Sequence, residues 1–376
     1  MNLKWKKLIL LVCGILILAC GPFTLVTPTS PQTSAPAATN TPLKKASQTP
    51  LATPAASQAP SSTAEKKTTE AVKINADNAG RLKQAGQVDF NDPSRLVWSL
   101  DGNGLTAFNN EGLTSWDGQT FKTKSSLSMT QPESLYGVAS DGRSVAVSAD
   151  RITINLKDES NGKTMASIKL DSPFSGLSFA PDGKTLATTS EDDLAATLWE
   201  TASGKQTARL SGFQTAGPTF DVSFAPDHKT LVWHARAKVQ LMDITSQKLG
   251  PAFEHEDFVL AQAVSDDGKL LATCSSATIN GSPTPVVFIW DTKSGKNLSK
   301  IKLDDVCSAL TFLPASHLLA GGVQNQVILW DGDTQKPLAV LKGHTDRIAE
   351  LSFSADGATL ASGSADNTIR FWRVNP

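Results

Sequence analysis

The sequence predicts an all-β domain made of seven repeated units, preceded by a signal peptide and a disordered linker. A turn of the Asp-Gly type recurs seven times between residues 101 and 357, at intervals of 40 to 48 residues. A Trp-Asp pair or a close equivalent follows most of these turns at a similar distance. No part of this region sustains the periodicity of an amphipathic helix, so the repeated unit is expected to consist of strands.

The first 19 residues have the organisation of a bacterial signal peptide. Three lysines precede the apolar run Leu8–Ala19. As a helix this run would span about 18 Å, short of the ~30 Å hydrocarbon layer of a bilayer. The sequence Leu18-Ala19-Cys20 resembles the bacterial lipobox, which implies that Cys20 is lipidated and anchors the protein to a membrane. The alternatives are an ordinary signal peptide or an uncleaved anchor, with Cys20 unmodified.

Residues 20–70 begin with this cysteine and continue as a predicted disordered linker. From Gly21 to Glu70, 34 of 50 residues are Pro, Thr, Ser or Ala, and Phe23 is the one aromatic residue. Such a segment buries too little apolar surface to offset the entropy lost on ordering it. As a coil it would span roughly 40 Å and hold a folded domain clear of the lipid.

The seven turns divide the rest of the chain into units. Asp-Gly between alternating apolar runs favours a hairpin, because both residues tolerate the positive φ of tight turns. The turns lie at Asp101-Gly102, Asp141-Gly142, Asp182-Gly183, Asp227-His228, Asp267-Gly268, Ala315-Ser316 and Asp356-Gly357. Runs such as Val286–Trp290 are rich in β-branched and aromatic residues, as expected for strands. In the fifth unit, Ser276–Pro285 is interpreted as an insertion in a hairpin.

This repeat resembles that of the WD40 family. The last unit matches best: Gly343-His344 opens it, Ser362 and Asp366 follow, and Phe371-Trp372 ends it. The resemblance covers about 80% of the chain and implies a seven-bladed WD40 β-propeller over residues 71–376, with four strands in each blade. Since a blade cannot bury its own faces, stability would come from stacking blades around a ring.

The ring requires a closing strand. Pro376 follows the third predicted strand of the last unit almost directly, so that blade lacks its outermost strand. Residues 81–86 precede the first unit, where the family places such a strand. We expect a strand near 81–86 to pair with the last blade, because an open ring would expose a strand edge at each end.

In WD40 blades a histidine, a serine or threonine, an aspartate and a tryptophan form a buried hydrogen-bonded network. The resemblance assigns these structural roles in the last unit to His344, Ser362, Asp366 and Trp372. Partial sets are expected in the fifth unit (His255, Thr273, Trp290) and in the third (Thr189, Asp193, Trp199). A histidine, a serine and an aspartate also suggest a catalytic triad, but their motif positions within one repeat favour the structural network.

Three other motifs receive structural interpretations. The segment Gly102–Ala107 fits the dinucleotide pattern G-x-G-x-x-A, but it leads into a predicted strand rather than a helix, so a turn is expected. The five histidines show no metal-ligand spacing. Turns such as Asp291–Lys296 resemble those of quinoprotein propellers, but here the tryptophan precedes the turn instead of following it. The sequence therefore predicts no catalytic residue, no metal and no cofactor.

Two features depart from the repeat. Trp233 and His234 stand where other units have small residues. They and the Ser276–Pro285 insertion are candidates for recognition, with a packing substitution and a tolerated surface loop as the favoured interpretations.

Cys274 and Cys307 fall in neighbouring units. Two buried thiols are the favoured interpretation, and a disulfide is the alternative.

Charge and architecture together indicate a function class. Residues 71–376 carry 28 basic and 34 acidic side chains, a net charge of −6 that argues against nucleic-acid binding. We expect a lipid-anchored scaffold, not an enzyme, that holds protein partners on the outer side of a bacterial membrane, inner or outer. One alternative is a propeller-type hydrolase or lyase acting on envelope material, which should show carboxylates or histidines converging on the channel. Another is a sensory or assembly subunit of an envelope complex.

Overall fold

The computed structural model describes residues 71–190, 195–213 and 221–375, and it confirms the seven-bladed all-β propeller. In this part of the chain, 28 strands form seven antiparallel sheets of four strands each. The predicted signal peptide, Cys20 and the linker lie outside the described residues. Within them, no helix has the length and apolar character needed to cross a bilayer.

The strands of blades 1 to 6 are consecutive in sequence. Strand β1 (Leu82–Asp89) comes first in the chain, after a short 3-10 helix (Ala79–Arg81), and belongs to the last blade. Blades 1 to 3 consist of β2 (Arg95–Trp98), β3 (Gly104–Asn109), β4 (Gly112–Asp117) and β5 (Thr123–Ser128); β6 (Ser134–Val138), β7 (Ser144–Ser148), β8 (Thr153–Asp158) and β9 (Thr164–Lys169); and β10 (Phe174–Phe179), β11 (Thr185–Ser190), β12 (Ala196–Glu200) and β13 (Gln206–Leu210).

Blades 4 to 6 continue the same order. They consist of β14 (Asp221–Phe224), β15 (Thr230–Ala235), β16 (Lys238–Asp243) and β17 (Lys248–Glu254); β18 (Ala261–Val264), β19 (Leu270–Ile279), β20 (Ser282–Asp291) and β21 (Asn297–Lys302); and β22 (Cys307–Phe312), β23 (Leu318–Val323), β24 (Gln326–Asp331) and β25 (Pro337–Leu341).

Blade 7 combines the two ends of the described chain. Its sheet has the order β1-β28-β27-β26, with β26 (Ile348–Phe353), β27 (Leu360–Ser364) and β28 (Thr368–Val374). Strand β1 runs antiparallel to β28, from Leu82 opposite Val374 to Asp89 opposite Thr368. The strand expected near 81–86 therefore extends three residues further, and the ring is closed by main-chain hydrogen bonds within one sheet.

A bulge in β1 brings blades 7 and 1 together. The register of β1 shifts between Gln84 and Gly86. A Cβ atom at Gly86 would meet the ring of Phe121, which stacks on Phe371 with 4.2 Å between the ring centroids. Glycine at the bulge thus allows a side chain of blade 1 to cover the closing strand.

The Asp-Gly turns form as the repeat predicts. Gly102 and Gly142 have φ values of 70° and 65°, and the carboxylate of Asp101 accepts a hydrogen bond from the Asn103 backbone N–H at 2.9 Å. The segment Gly102–Ala107 is accordingly a turn followed by β3, not the opening of a helix. In the fifth blade, the insertion lengthens β19 and β20 to ten residues each, joined by a positive-φ turn at Asn280-Gly281.

The core lies between neighbouring blades. One buried cluster joins Val232 and Leu241 of blade 4 to Leu271 and Phe288 of blade 5. First strands of adjacent blades contact each other and surround the central channel. We call the face of the ring at which every first strand begins the upper face. Among the described residues, the loops before the first strands and the hairpins between the second and third strands lie on it.

Candidate functional site

A polar network in blade 7 joins the four residues that the resemblance singled out. Trp372 Nε1 donates a hydrogen bond to Ser362 Oγ at 2.8 Å, and His344 Nε2 lies 2.8 Å from the same oxygen. His344 Nδ1 lies 2.9 Å from Asp366 Oδ2. Ser362 has no exposed surface, and His344 is only 4% exposed. A substrate cannot reach this hydroxyl, so the order of the groups resembles a triad but their burial does not suit a nucleophile.

The protonation of this network follows from its surroundings. Burial lowers the pKa of His344, despite the opposing effect of its hydrogen bond with Asp366. Burial would raise the pKa of Asp366, but hydrogen bonds from Thr368, the Thr345 backbone N–H and His344 outweigh it and hold the pKa at about 2. A neutral imidazole can donate to Asp366 and accept from Ser362, which leaves each group with a partner.

Blade 5 has a shorter version of the network. His255 Nε2 lies 2.8 Å from Thr273 Oγ1, which also accepts a hydrogen bond from Trp290 Nε1 at 2.9 Å. The other ring nitrogen of His255 faces the Ala237 carbonyl oxygen at 3.2 Å, where blade 7 has a carboxylate.

Blade 3 corrects one sequence assignment. Trp199 Nε1 donates to Thr188 Oγ1 at 2.9 Å, so Thr188 and not Thr189 holds the tryptophan. Thr189 Oγ1 instead lies 3.2 Å from Ser175 Oγ. A shift of one residue along a strand moves a side chain to the opposite face of the sheet, which is why the misassignment matters. Asp193 lies outside the described residues.

Blade 4 replaces the network with apolar packing. Trp233 aligns with Ser362, and Met242 aligns with Trp372. Trp233 is 1% exposed, and its ring centroid is 3.6 Å from that of Phe213. Trp233 is therefore a core residue rather than a recognition residue.

The channel holds a charged cluster that sequence reasoning missed. Arg95 of β2 lies on one side of the ring, and Asp221 of β14 lies on the other. Arg95 Nη2 donates to Asp221 Oδ2 at 3.2 Å, and Arg95 Nη1 lies 3.9 Å from Glu350 Oε1 of β26. The Arg95 side chain is 52% exposed, and that of Glu350 is 23% exposed.

The three charged residues of this cluster occupy the same position in their repeat units. Arg95, Asp221 and Glu350 each stand six residues before the turn aspartate of their unit. The equivalent residues in the other units are Leu135, Gly176, Ala261 and Ala309. Aligning the units on their turns would have revealed three charges at one inward position, although it would not have shown that blades 1 and 4 reach each other.

The charged groups around the channel have pKa values that are shifted in different directions. Burial raises the pKa of Glu350 to about 7, with Arg95 opposing the shift and Asp221 adding to it. Glu350 and Asp221 raise the pKa of Arg95. His234 lies opposite Asp221 in the β14–β15 register, and burial lowers its pKa. The channel thus brings together an arginine and two carboxyl groups from three blades, and the pKa of one of these groups, Glu350, is about 7. Such a convergence of charged groups was expected of the enzyme alternative.

The two central cysteines are bonded. Cys274 of β19 and Cys307 of β22 form a disulfide between blades 5 and 6, with 5.7 Å between their Cα atoms. The favoured interpretation of two free buried thiols is therefore wrong. Packing of the first strand of blade 6 beside the second strand of blade 5 brings the two Cα atoms within the range of a bridge.

Comparison with known proteins identifies WD40 repeats. The family model described as WD domain, G-beta repeat matches residues 248–280 and 335–373. These segments overlap blades 5 and 7, the two blades whose histidine networks are given above.

Relatives share the repeat over part of their length. Cell division cycle 20.1 of Arabidopsis thaliana, a cofactor of the APC complex, is 28% identical over 279 residues, covering 69% of this chain and 58% of the relative. Small ribosomal subunit protein RACK1y of Oryza sativa subsp. japonica is 32% identical over 36% of this chain and 41% of its own. RACK1 of Drosophila melanogaster is 29% identical over 41% and 50%, respectively. The chain thus spans about half the length of these relatives.

Proposed function

We propose that this chain is a membrane-tethered WD40 propeller that acts as a protein–protein interaction scaffold on the outer side of a bacterial membrane. The observation that carries the proposal is the burial of the His344–Ser362–Asp366 set inside a closed ring. That set supports the fold, and the loops of the upper face are left accessible for binding. The relatives named above include a cofactor of one complex and a subunit of another, in keeping with a scaffold.

The location rests on two cysteine features. The lipobox-like sequence at Cys20 supplies an anchor, and the disulfide between Cys274 and Cys307 suits an oxidising compartment outside the cytoplasm. Both features favour export of the propeller, which the linker of residues 20–70 would connect to the lipid anchor.

Fractionation of cells tests the anchor. The Cys20→Ser chain should move from the membrane to the soluble fraction, because it has no acyl chains to insert. Cys13→Ser, in the same apolar run, is the matched control and should stay in the membrane. Unchanged partitioning of Cys20→Ser would refute the tether.

Site-specific photo-crosslinking tests the scaffold. A photoreactive residue at Asp171, on the upper face, should give a discrete adduct with a partner protein in intact cells. The same residue at Asn161, in an exposed turn on the opposite face, is the control. A scaffold that uses its upper face predicts an adduct at the first position and none at the second.

The charged channel gives a second candidate, a propeller-type hydrolase or lyase acting on envelope material. Glu350 could transfer a proton near neutral pH, and Arg95 could hold an anionic group of a substrate. Incubation of the full chain with envelope polysaccharide decides between the two. Fragments released by the parent chain but not by the Glu350→Gln chain would establish the hydrolase or lyase function. If neither chain releases fragments, that function is excluded.

A further inference from the structure

Acidic side chains are spread around the upper face. Each of the six described loops that precede a first strand carries at least one, namely Asp92, Glu133, Asp171, Asp257, Asp304 and Asp346. Asp92, Asp171 and Asp304 are exposed and, within the part of the chain that the structure describes, belong to no ion pair. These loops contain only two basic residues, Lys342 and Arg347.

On the opposite face, acidic and basic side chains occur together in the same turns. Turns between third and fourth strands begin with an acid and end with a lysine, as in Asp158–Lys163 and Asp291–Lys296. The acids there bind the turn itself: Asp291 Oδ1 accepts a hydrogen bond from the Ser294 backbone N–H at 2.7 Å. The acids of these turns are thus each matched by a lysine, whereas the loops before the first strands carry more acidic than basic residues.

Two apolar side chains are exposed within this acidic surface. Phe258 and Leu260, in the loop before β18, are 37% and 39% exposed. The long β19–β20 hairpin supports the loop, since Glu256 Oε2 accepts a hydrogen bond from the Thr278 backbone N–H at 2.8 Å. The hairpin is about four residues longer per strand than its counterparts, so it extends roughly 13 Å further on this face, next to the loop that carries Phe258.

We propose that the upper face binds a lysine- or arginine-rich segment of a partner protein, with an apolar side chain of that segment packed on Phe258 and Leu260 against the hairpin. Charge complementarity identifies the occupant, because cations would neutralise the acids of the surrounding loops. The loop is already held in place, so little conformational entropy is lost on binding. This inference rests on the scaffold function and specifies its partner.

A peptide-binding assay with the full-length chain tests the inference. The probe is a short fluorescent lysine-rich peptide with one leucine, and the matched peptides carry glutamate for lysine or serine for leucine. We expect the lysine–leucine peptide to bind most tightly and to weaken as salt rises. Phe258→Ser/Leu260→Ser should lower its affinity about tenfold. Leu298→Ser/Val340→Ser, which alters two apolar residues on outer strands that are 48% and 47% exposed, should not change it.

A charge substitution tests the electrostatic part of the inference independently. Asp304→Asn should weaken binding of the lysine–leucine peptide, whereas Asp77→Asn, exposed before the closing strand, should not. Equal binding of the glutamate peptide, unchanged affinity of the Phe258→Ser/Leu260→Ser chain, or self-association abolished by that variant would overturn the inference. A partner crosslinked at Asp171 through an acidic segment would also overturn it and would leave the scaffold function standing.

Discussion

At the scale of single residues, titratable side chains have different roles depending on whether they lie inside a blade or in the channel. His344 and Asp366 are buried and fully hydrogen-bonded, so they support the fold. Glu350 lies in the channel beside Arg95, and burial raises its pKa to about 7. Sequence reasoning could place the first pair, because a repeat motif fixes its positions. It could not show what Glu350 contacts, because the guanidinium beside it belongs to another blade.

Removing the His344 side chain should destabilise the propeller. His344→Ala leaves the buried Ser362 hydroxyl without its acceptor and removes one of the donors to Asp366, which should lower the free energy of unfolding by about 1–3 kcal/mol. Denaturant unfolding measures the change. His228→Asn is the control, since His228 is exposed with a φ of 60° that asparagine also adopts. A hydrolytic activity lost in His344→Ala at unchanged stability would contradict the structural role.

Glu350 should make stability depend on pH. Its pKa is raised to about 7 in the folded chain, so the folded state binds more protons than the unfolded state between about pH 4.5 and 7. Its contribution to the free energy of unfolding therefore falls as the pH rises through that window. Glu350→Gln should remove this fall and gain about 1–3 kcal/mol relative to the parent between about pH 5 and pH 8.

Denaturant unfolding of both chains at the two pH values measures this difference. Glu111→Gln, an exposed glutamate on the upper face, should follow the parent at both values. A Glu350→Gln chain with the same pH profile as the parent would show that the carboxyl group is ionised throughout.

At the scale of elements, adjacent blades are joined by packing and by one covalent bond. The sequence placed Cys274 and Cys307 on neighbouring units but could not give their separation, which depends on how the first strand of blade 6 lies beside the second strand of blade 5. The hairpin insertion was easier to predict, because Trp290-Asp291 follows its turn at a greater distance than the equivalent pairs of the other units. The Thr188 assignment failed for a local reason, since adjacent threonines make the strand register ambiguous.

Removing the disulfide should weaken the ring between blades 5 and 6. The bridge closes a segment of 33 residues, and replacing both cysteines by alanine should cost about 2–4 kcal/mol of stability. Reductant should lower the melting temperature of the parent chain and leave that of the double variant unchanged. Alkylation of both Cys274 and Cys307 in the unreduced, denatured parent would contradict the bridge.

At the scale of the whole molecule, closure makes seven similar units into one domain. Each turn could be located from the sequence, and the unpaired last strand indicated that a segment before the first unit must return to it. Closure also brings Arg95 of blade 1 to Asp221 of blade 4 across the channel. No spacing along the chain reveals that contact, because the two residues are 126 positions apart and meet only in the finished ring.

The melting temperature of a chain without the closing strand tests the ring most directly. Deleting Leu82–Asp89 uncovers β28 and the apolar side chains beneath β1, whereas deleting the eight linker residues 41–48 should have no effect. We predict a fall of more than about 10 °C for the first deletion and none for the second. Equal melting temperatures for the parent chain and both deletions would contradict a ring held closed by β1.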